Sequence, residues 1–574
     1  MRTPNKFLWR TSTLLLMAIA INFGRWDESF AQSLLENDAF PEQFLSQQVA
    51  WKQCELYENL YRWWMNAECT DVTVPLHWDN PGGDIITIHV KRLRSNLRWI
   101  LKPKRQLWLL QGGPGAAGTS TFADVMQMIV RADPETDVYT LDHRGTGFSS
   151  RMGCPQQEAD DSEEGSIISD NEWEACVDYL ENDWLPLDAF TVTQAAMDVG
   201  LLVELLKEEN KDRFIYGLSY GTYWAHRYAQ IFPDQADGMI LDSITPSDRT
   251  FIDEYDRLAN NVVKQIFEMC EEDEFCRSKM GDAPWEKANE VFDKFKNGHC
   301  EAVSGNGLTP QDLQLFAFGL GTSWIGRVII PAIYYRLDRC NEDDVKVFKH
   351  ISDKFFSPQE NATATSLRQF SNALSNHITL SELVSGNPMS LEDLKELDET
   401  LLASSHISYR IFELDTEWPI YEPDEFFHKW ASEDIPMLML NGTLDLQTPL
   451  KIATHARINL SGPHQYFIEV PYANHGVVSS SPVKTLFAND CGMQIMMDYI
   501  KDPLNEPDTS CLDDLKPVDF HGNPLIALYV MGTLNIWDNI GRSKKSMKLE
   551  NKSSLLTGEG REPIIQIPRW PFIK

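Results

Sequence analysis

The stretch Phe214-Ile215-Tyr216-Gly217-Leu218-Ser219-Tyr220-Gly221-Thr222 constrains the fold more than any other part of the chain. Residues up to Tyr216 are β-branched or aromatic and read as a buried strand. Tyr223, Trp224, Ala225, Tyr228 and Ala229 follow, then Pro233, and read as a helix. A strand that turns directly into a helix leaves no room for side chains beside the apex, which explains Gly217 and Gly221. Ser219 is therefore expected in a strained conformation with its hydroxyl exposed.

The chain has 574 residues, more than one ordinary domain, so a core with a large insertion is expected. Apolar residues make up 43% and include 17 Trp, enough for a substantial core. The formal charge of −34 argues against nucleic acid and anionic membrane surfaces, both of which need Lys and Arg. Acidic charge of this kind maintains solubility.

At the N-terminus, basic Arg2, Lys6 and Arg10 precede the apolar run Leu14 to Ile21. The run is short for a bilayer span and reads as a secretory signal within residues 1–31, cut after Ala20 or Ala31. An uncleaved signal anchor is the alternative. Secretion, or delivery to the lumen of the secretory pathway, is thus expected, with no integral span once the signal is gone. Ten cysteines in an exported chain suggest disulfides. Proximity in sequence suggests Cys54–Cys69, Cys154–Cys176, Cys270–Cys276, Cys300–Cys340 and Cys491–Cys511, with the connectivity open. No Cys/His spacing suits a metal, and nothing points to a cofactor. Asn361, Asn459 and Asn551 lie in glycosylation sequons, as does Asn441, which is expected to stay unmodified.

Strands are expected at Asp71–Leu76, Ile85–Leu93, Gln106–Leu110, Asp137–Leu141, Phe214–Tyr216, Gly238–Leu241, Met437–Leu440 and Phe467–Val470. Helical periodicity between them, as over Thr193–Leu206, predicts a mostly parallel sheet with helices on both faces. From Pro246 to about Trp430 the pattern is helical, as at Phe251–Met269, Trp285–Phe295, Leu313–Leu320 and Leu391–Leu402. The expected organisation is a core at 50–245 and 431–512, a helical cap at 246–430 inserted before an acid-bearing strand, and an extension at 513–574. A closing helix is expected from Val483 to about Ile500, with less regular chain after Cys511. The polar, Lys-rich stretch Ser543–Glu559 reads as a mobile tail.

G-x-S-x-G between a strand and a helix is the nucleophile elbow of the α/β-hydrolase fold. A serine there needs a base, and the base needs an orienting group. The fold's chain order of Ser, then acid, then His is met by Ser219, Asp445 and His475, each just beyond a strand. His464 precedes the last strand and His521 lies past the closing helix, so neither suits. Two backbone N–H groups must bind the oxyanion. Tyr220 and the Gly112-Gly113-Pro114-Gly115 loop, most plausibly Gly113, are the candidates. Asp142 and Arg144 are expected to brace neighbouring loops.

With Asp142-His143-Arg144-Gly145-Thr146-Gly147, Asn441-Gly442-Thr443-Leu444-Asp445 and Asn474-His475-Gly476, these motifs resemble the prolyl iminopeptidase/tripeptidyl aminopeptidase family of serine peptidases. The Ser-Tyr-Gly-Thr form and the cysteine placement are closer to the tripeptidyl branch. The resemblance covers about residues 50 to 512. It implies an exopeptidase acting near a free peptide N-terminus, with a helical cap whose carboxylates read the α-amine. Glu413, Asp415 and Glu417 are the candidates. Ala116-Ala117 and His143 depart from the family pattern. A carboxylesterase or lipase-like enzyme on the same triad is the alternative, and an inactive binding protein of the same fold is a second. The sequence leaves the oligomeric state open.

Overall fold

The computed structural model describes residues 40–57, 67–95, 97–98, 100–159, 161–162, 165, 168–249, 251–356, 364–414 and 418–539. The stretch 1–31 expected to be a signal, the sequons at Asn361 and Asn551, and the Ser543–Glu559 stretch lie outside these residues. Nine strands form one sheet: β1 (Lys52–Gln53), β2 (Ala67–Pro75), β3 (Ile85–Leu93), β4 (Arg105–Leu110), β5 (Thr136–Leu141), β6 (Asp212–Leu218), β7 (Gly238–Asp242), β8 (Met437–Gly442) and β9 (Gln465–Val470). Their order is β1-β2-β3-β5-β4-β6-β7-β8-β9. The first three strands run antiparallel to their neighbours, and β5, β4, β6, β7, β8 and β9 are mutually parallel.

Alternation along the strands divides the core. Trp108, Leu110, Ile215, Met239 and Leu241 pack on one face with α2 (Val192–Leu205) and α3 (Tyr220–Ile231). Leu107, Leu109, Phe214, Tyr216, Ile240 and Leu438 pack on the other with α1 (Ala123–Ala132) and α11 (Cys491–Tyr499). A sheet covered on both faces explains why β4 and β5 are buried at every position.

Between β7 and β8, the described elements are helical. They include α4 (Tyr255–Glu272), α5 (Pro284–Lys296), α6 (Pro310–Gly321), α7 (Ile330–Arg339), α8 (Asn372–Ile378) and α9 (Leu391–Asp398). Helix α6 starts as its sequence dictates. Thr309 and Asp312 form a reciprocal cap, and Pro310 sits where no N–H is needed. Helix α4 begins later than the sequence suggests because Ile252–Glu254 form a 3₁₀ turn. After β8 comes α10 (Leu450–Asn459).

The closing helix is shorter than expected. A short helix at Val477–Ser480 and irregular chain precede α11, with Ser481 Oγ accepting from the Gly492 N–H at 2.8 Å. The C-terminal extension is more regular than expected. Asn523 caps α12 (Pro524–Met531), and the following segment binds back onto α7. There Arg336 donates to the Ile536 carbonyl at 2.7 Å and Arg339 to Asp538 at 2.5 Å. All five cysteine pairs are disulfide-bonded as sequence proximity suggested. Disulfides of this kind form and persist in an oxidising compartment. Among the described residues no helix is long and apolar enough to cross a membrane.

Candidate active site

Strand order reverses between β4 and β6, and open α/β sheets bind ligands beyond the strand ends at such a point. Beyond β4 lies the Gly112–Gly115 loop, and beyond β6 lies Ser219. Ser219 has φ 59° and ψ −128°, a left-handed backbone that costs a non-glycine residue about 1–3 kcal/mol. The glycines are sterically required. A Cβ on Gly217 would lie 2.3 Å from the Gly221 carbonyl oxygen, and one on Gly221 would lie 2.1 Å from that of Leu110. The Ser219 N–H donates to the Asp242 carbonyl at 3.0 Å, which anchors the turn to β7.

Asp445 leaves the end of β8 and His475 follows β9. Nδ1 of His475 lies 3.0 Å from both Asp445 carboxylate oxygens. Donation from Nδ1 leaves Nε2 as the basic nitrogen. Asp445 is fully buried, and its oxygens also accept from Gln447 N, Thr448 N and Thr448 Oγ1 at 2.8–2.9 Å. Burial alone would raise its pKa. The charge and hydrogen bond of His475, with the two Thr448 donors, hold it below the ordinary carboxylate range. Burial pushes the His475 imidazole down, but Asp445, with a smaller contribution from Asp242, more than offsets this and raises it above its usual 6.5. About 13% of the His475 side chain stays accessible, so a substrate can reach it.

Asp242 ends β7 and was not singled out from the sequence, although a carboxylate closing a buried strand was the available signal. Its oxygens accept from the N–H groups of Val477 and Val478 at 2.7 and 3.0 Å and from Tyr216 Oη at 2.8 Å. Ser243 Oγ accepts from Gly476 N at 2.8 Å. The end of β7 thus holds both the serine turn and the histidine loop. Among the described residues Ser219 Oγ makes no hydrogen bond, and the histidine loop approaches the serine turn at Gly476, where a Cβ would lie 3.6 Å from Leu218 Cδ1. Catalytic hydrogen bonds are often long before substrate arrives.

Gly112 abuts the serine closely, since a Cβ on it would lie 2.7 Å from Ser219 Cβ. Gly113 follows at φ 115°. Among the described residues neither Gly113 N nor Tyr220 N has a hydrogen-bond acceptor. Tyr220 is held through its ring, its hydroxyl 3.3 Å from His143 Nε2. His143 Nδ1 donates to the Arg144 carbonyl at 2.6 Å, and burial pushes its pKa down to about 3, so the imidazole is neutral. Arg144 and Asp142 brace loops: Arg144 pairs with Asp198 at 2.6 Å, and Asp142 accepts from Thr119 N and Phe148 N, both at 2.8 Å.

The insertion covers this edge of the sheet. Ser371 N donates to the Gly115 carbonyl at 2.9 Å, and Ala117 N to that of Gln369 at 2.9 Å. Arg227 and Tyr223 of α3 grip the buried Glu382 at 2.8 and 2.6 Å, and Tyr421 Oη donates to it at 2.9 Å. No local pattern marks Glu382 in the sequence. Of the carboxylates expected to read an amine, Asp415 and Glu417 lie outside the described residues. Glu413 is exposed and bound to Lys395 at 2.5 Å, so its charge is already engaged at the surface. Asn441 is fully buried, with its amide donating to the Thr448 carbonyl at 3.0 Å. No group of metal-ligating residues occurs among the described residues.

The alpha/beta hydrolase fold family matches residues 107–270. A tripeptidyl aminopeptidase of Streptomyces lividans is 26% identical over 221 residues, covering 35% of this chain and 39% of that protein. The serine protease Hip1 of Mycobacterium bovis is 27% identical over 215 residues, covering 34% and 40%. The chain thus spans about two fifths of the length of these curated relatives. A solved esterase of Thermogutta terrifontis is 13% identical with a TM-score of 0.24, covering 68% of this chain and 87% of that one. The chain is an α/β-hydrolase-fold protein, with the family match spanning the serine turn, and over about a third of its length it is similar to bacterial tripeptidyl aminopeptidases and serine proteases.

Proposed function

We propose that this chain is a secreted serine exopeptidase that hydrolyses peptide bonds near a free N-terminus. Fold and relatives support a serine hydrolase; the exopeptidase assignment goes a step further. The observation that supports it most is the buried Asp445–His475 pair, with Nδ1 at 3.0 Å from both carboxylate oxygens, on the same sheet edge as the strained Ser219. In this reading His475 Nε2 takes the Ser219 proton as Oγ attacks the carbonyl carbon. Asp445 fixes the imidazole tautomer and stabilises the imidazolium. The N–H groups of Gly113 and Tyr220 bind the oxyanion. The amine departs with the proton from His475, and water hydrolyses the acyl-enzyme by the same steps.

The names of the relatives support peptide substrates, and the helical insertion over the sheet edge supports a restricted one. Five disulfides support an exported enzyme. The test is hydrolysis of a fluorogenic Ala-Ala-Pro amide with a free or blocked N-terminus, by wild type and Ser219→Ala. Cleavage of the free peptide alone is expected, with a loss of roughly four to six orders of magnitude in turnover in the variant. Equal cleavage of both peptides by wild type would reject amine recognition in favour of a broader amidase or esterase. Undiminished activity in Ser219→Ala would reject the serine mechanism.

A further inference from the structure

Among the described residues five arginines are buried: Arg105, Arg144, Arg227, Arg327 and Arg336. Four hold a carboxylate, with Asp133, Asp198, Glu382 and Asp344 at 2.6–2.9 Å. Arg327 has none. Nη1 donates to the Tyr472 carbonyl and to Asn474 Oδ1, both neutral acceptors. Nε is buried without a partner, and Nη2 makes no hydrogen bond among the described residues. Burial drags the guanidinium pKa down to about 9, with no anion raising it back. An uncompensated buried cation is costly. In a chain with 85 Asp and Glu, a built-in partner would have been easy to supply.

The position of Arg327 gives the missing anion a place. It lies in the insertion, just after α6, and grips the two residues that flank Ala473, immediately before His475. Asn474 also donates to the Gly321 carbonyl at the end of α6, at 2.6 Å. The Gly112–Gly115 loop, where the oxyanion would lie, abuts Ser219 from another strand end. A histidine that protonates the departing amine must face the leaving group, so a cation on the histidine loop lies on the leaving side. Arg327 itself is 3% exposed, and it holds the carbonyl of Tyr472, which is 36% exposed, so the guanidinium lies beneath a residue that reaches solvent.

We propose that Arg327 recognises a carboxylate on the leaving side of the substrate, either the C-terminal carboxylate of a short peptide or an acidic side chain just after the cut. The inference takes its sense of direction from the exopeptidase reading. It makes the enzyme selective for short or acidic leaving fragments, and it gives the unpaired Nε and Nη2 the planar, two-donor match for which arginine is suited.

The experiment uses the full chain as wild type, Arg327→Gln and Arg327→Lys. The substrates are unblocked Ala-Ala-Pro-Ala as free acid, the same peptide as C-terminal amide, and Ala-Ala-Pro-Asp amide. Wild type is expected to favour a carboxylate-bearing peptide over the neutral amide by about tenfold or more in kcat/KM. Arg327→Gln is expected to level the peptides, and Arg327→Lys to keep part of the preference. Preference for the free acid assigns the terminal carboxylate; preference for the Asp amide assigns the side chain. The ratio between substrates is the readout, because loosening the histidine loop would slow all of them equally. Equal rates in wild type, or an equal loss on all three in Arg327→Gln, would overturn the proposal and leave Arg327 as a brace.

Two arms separate this from failure of the exopeptidase reading. Phenyl acetate and 4-carboxyphenyl acetate differ only by a carboxylate on the leaving group. Hydrolysis of the esters with no peptide cleaved would reject the exopeptidase and leave Arg327 judged on the ester ratio. Benzoate should also raise the melting temperature of wild type but not of Arg327→Gln, with benzamide inert on both. Identical responses to benzoate in the two proteins would overturn carboxylate binding without any turnover.

Discussion

Thr448→Val isolates the contribution of one hydroxyl to the candidate site. Thr448 is 2% exposed, and its Oγ1 donates to Asp445 Oδ2 at 2.8 Å. Valine keeps the shape and removes the donor. Asp445 Oδ1 retains Gln447 N and Thr448 N, whereas Oδ2 is left with the imidazole alone. A hydrogen bond to a charged acceptor is worth about 1.5–3 kcal/mol. If the alignment it enforces is expressed fully in the transition state, kcat falls about 10- to 150-fold. KM should stay near wild type, because Thr448 touches the acid and not the substrate. Losing a donor also makes the carboxylate more basic. The His475 proton is then held more tightly, and the acid limb of kcat moves to higher pH. The assay is kcat and KM from about pH 5 to 9, where an imidazole base titrates. Thr448→Ser restores the hydroxyl and should recover most of the rate. A serine variant as slow as valine would show that the methyl group matters and refute the hydrogen-bond argument. A valine variant within twofold of wild type would refute it outright.

Asp242→Asn removes a buried negative charge that helps raise the His475 imidazole. The acid limb of kcat/KM should therefore move to lower pH, opposite to Thr448→Val; an unmoved limb in a folded variant would show that the charge of Asp242 does not reach His475. Glu382→Ala strands Arg227 in the core. Asp424, 3.4 Å from Arg227, softens the effect, so a loss of about 3 kcal/mol in unfolding free energy is expected, read from the urea midpoint. An unshifted midpoint would mean that the grip between α3 and the insertion contributes nothing to stability.

The parts of the site that were legible in the sequence are those enforced by local geometry. Gly217 and Gly221 mark the turn because no side chain fits there, and that constraint spans only five residues. Asp445 and His475 could be placed at one sheet edge because each closely follows a buried strand, and the structure pairs them. The disulfides were legible because cysteines near in sequence were also near in space. What escaped depends on pairs far apart in the chain. Arg227 meets Glu382 across 155 residues and Arg327 meets Asn474 across 147, and neither partner carries a local pattern. Glu413 shows a different limit. A carboxylate near Trp418-Pro419 looks like a ligand in sequence, and in the structure it pairs with Lys395 at the surface. The short form of α11 was also hidden, since Ser481 replaces a helical turn with a side-chain cap that periodicity does not register.

Strands β7 and β8 lie side by side, yet about 190 residues separate them in the chain. Relative to a connection of about 12 residues, that length is four doublings, or roughly 2.4 kcal/mol of added closure entropy. The sheet can thus host a guest larger than many domains at the cost of two ordinary hydrogen bonds. The guest leaves the sheet at the reactive edge, just after Asp242, and returns at the far end of the neighbouring parallel strand, where Met437 lies level with Met239. Such a port lets selectivity drift over evolutionary time while the serine turn, the acid and the histidine stay untouched. It also makes the guest a separable cassette: exchanging residues 246–430 between related chains, with Ser243 kept in place to hold the Gly476 N–H, should transplant substrate choice and leave the bond-breaking step where it was.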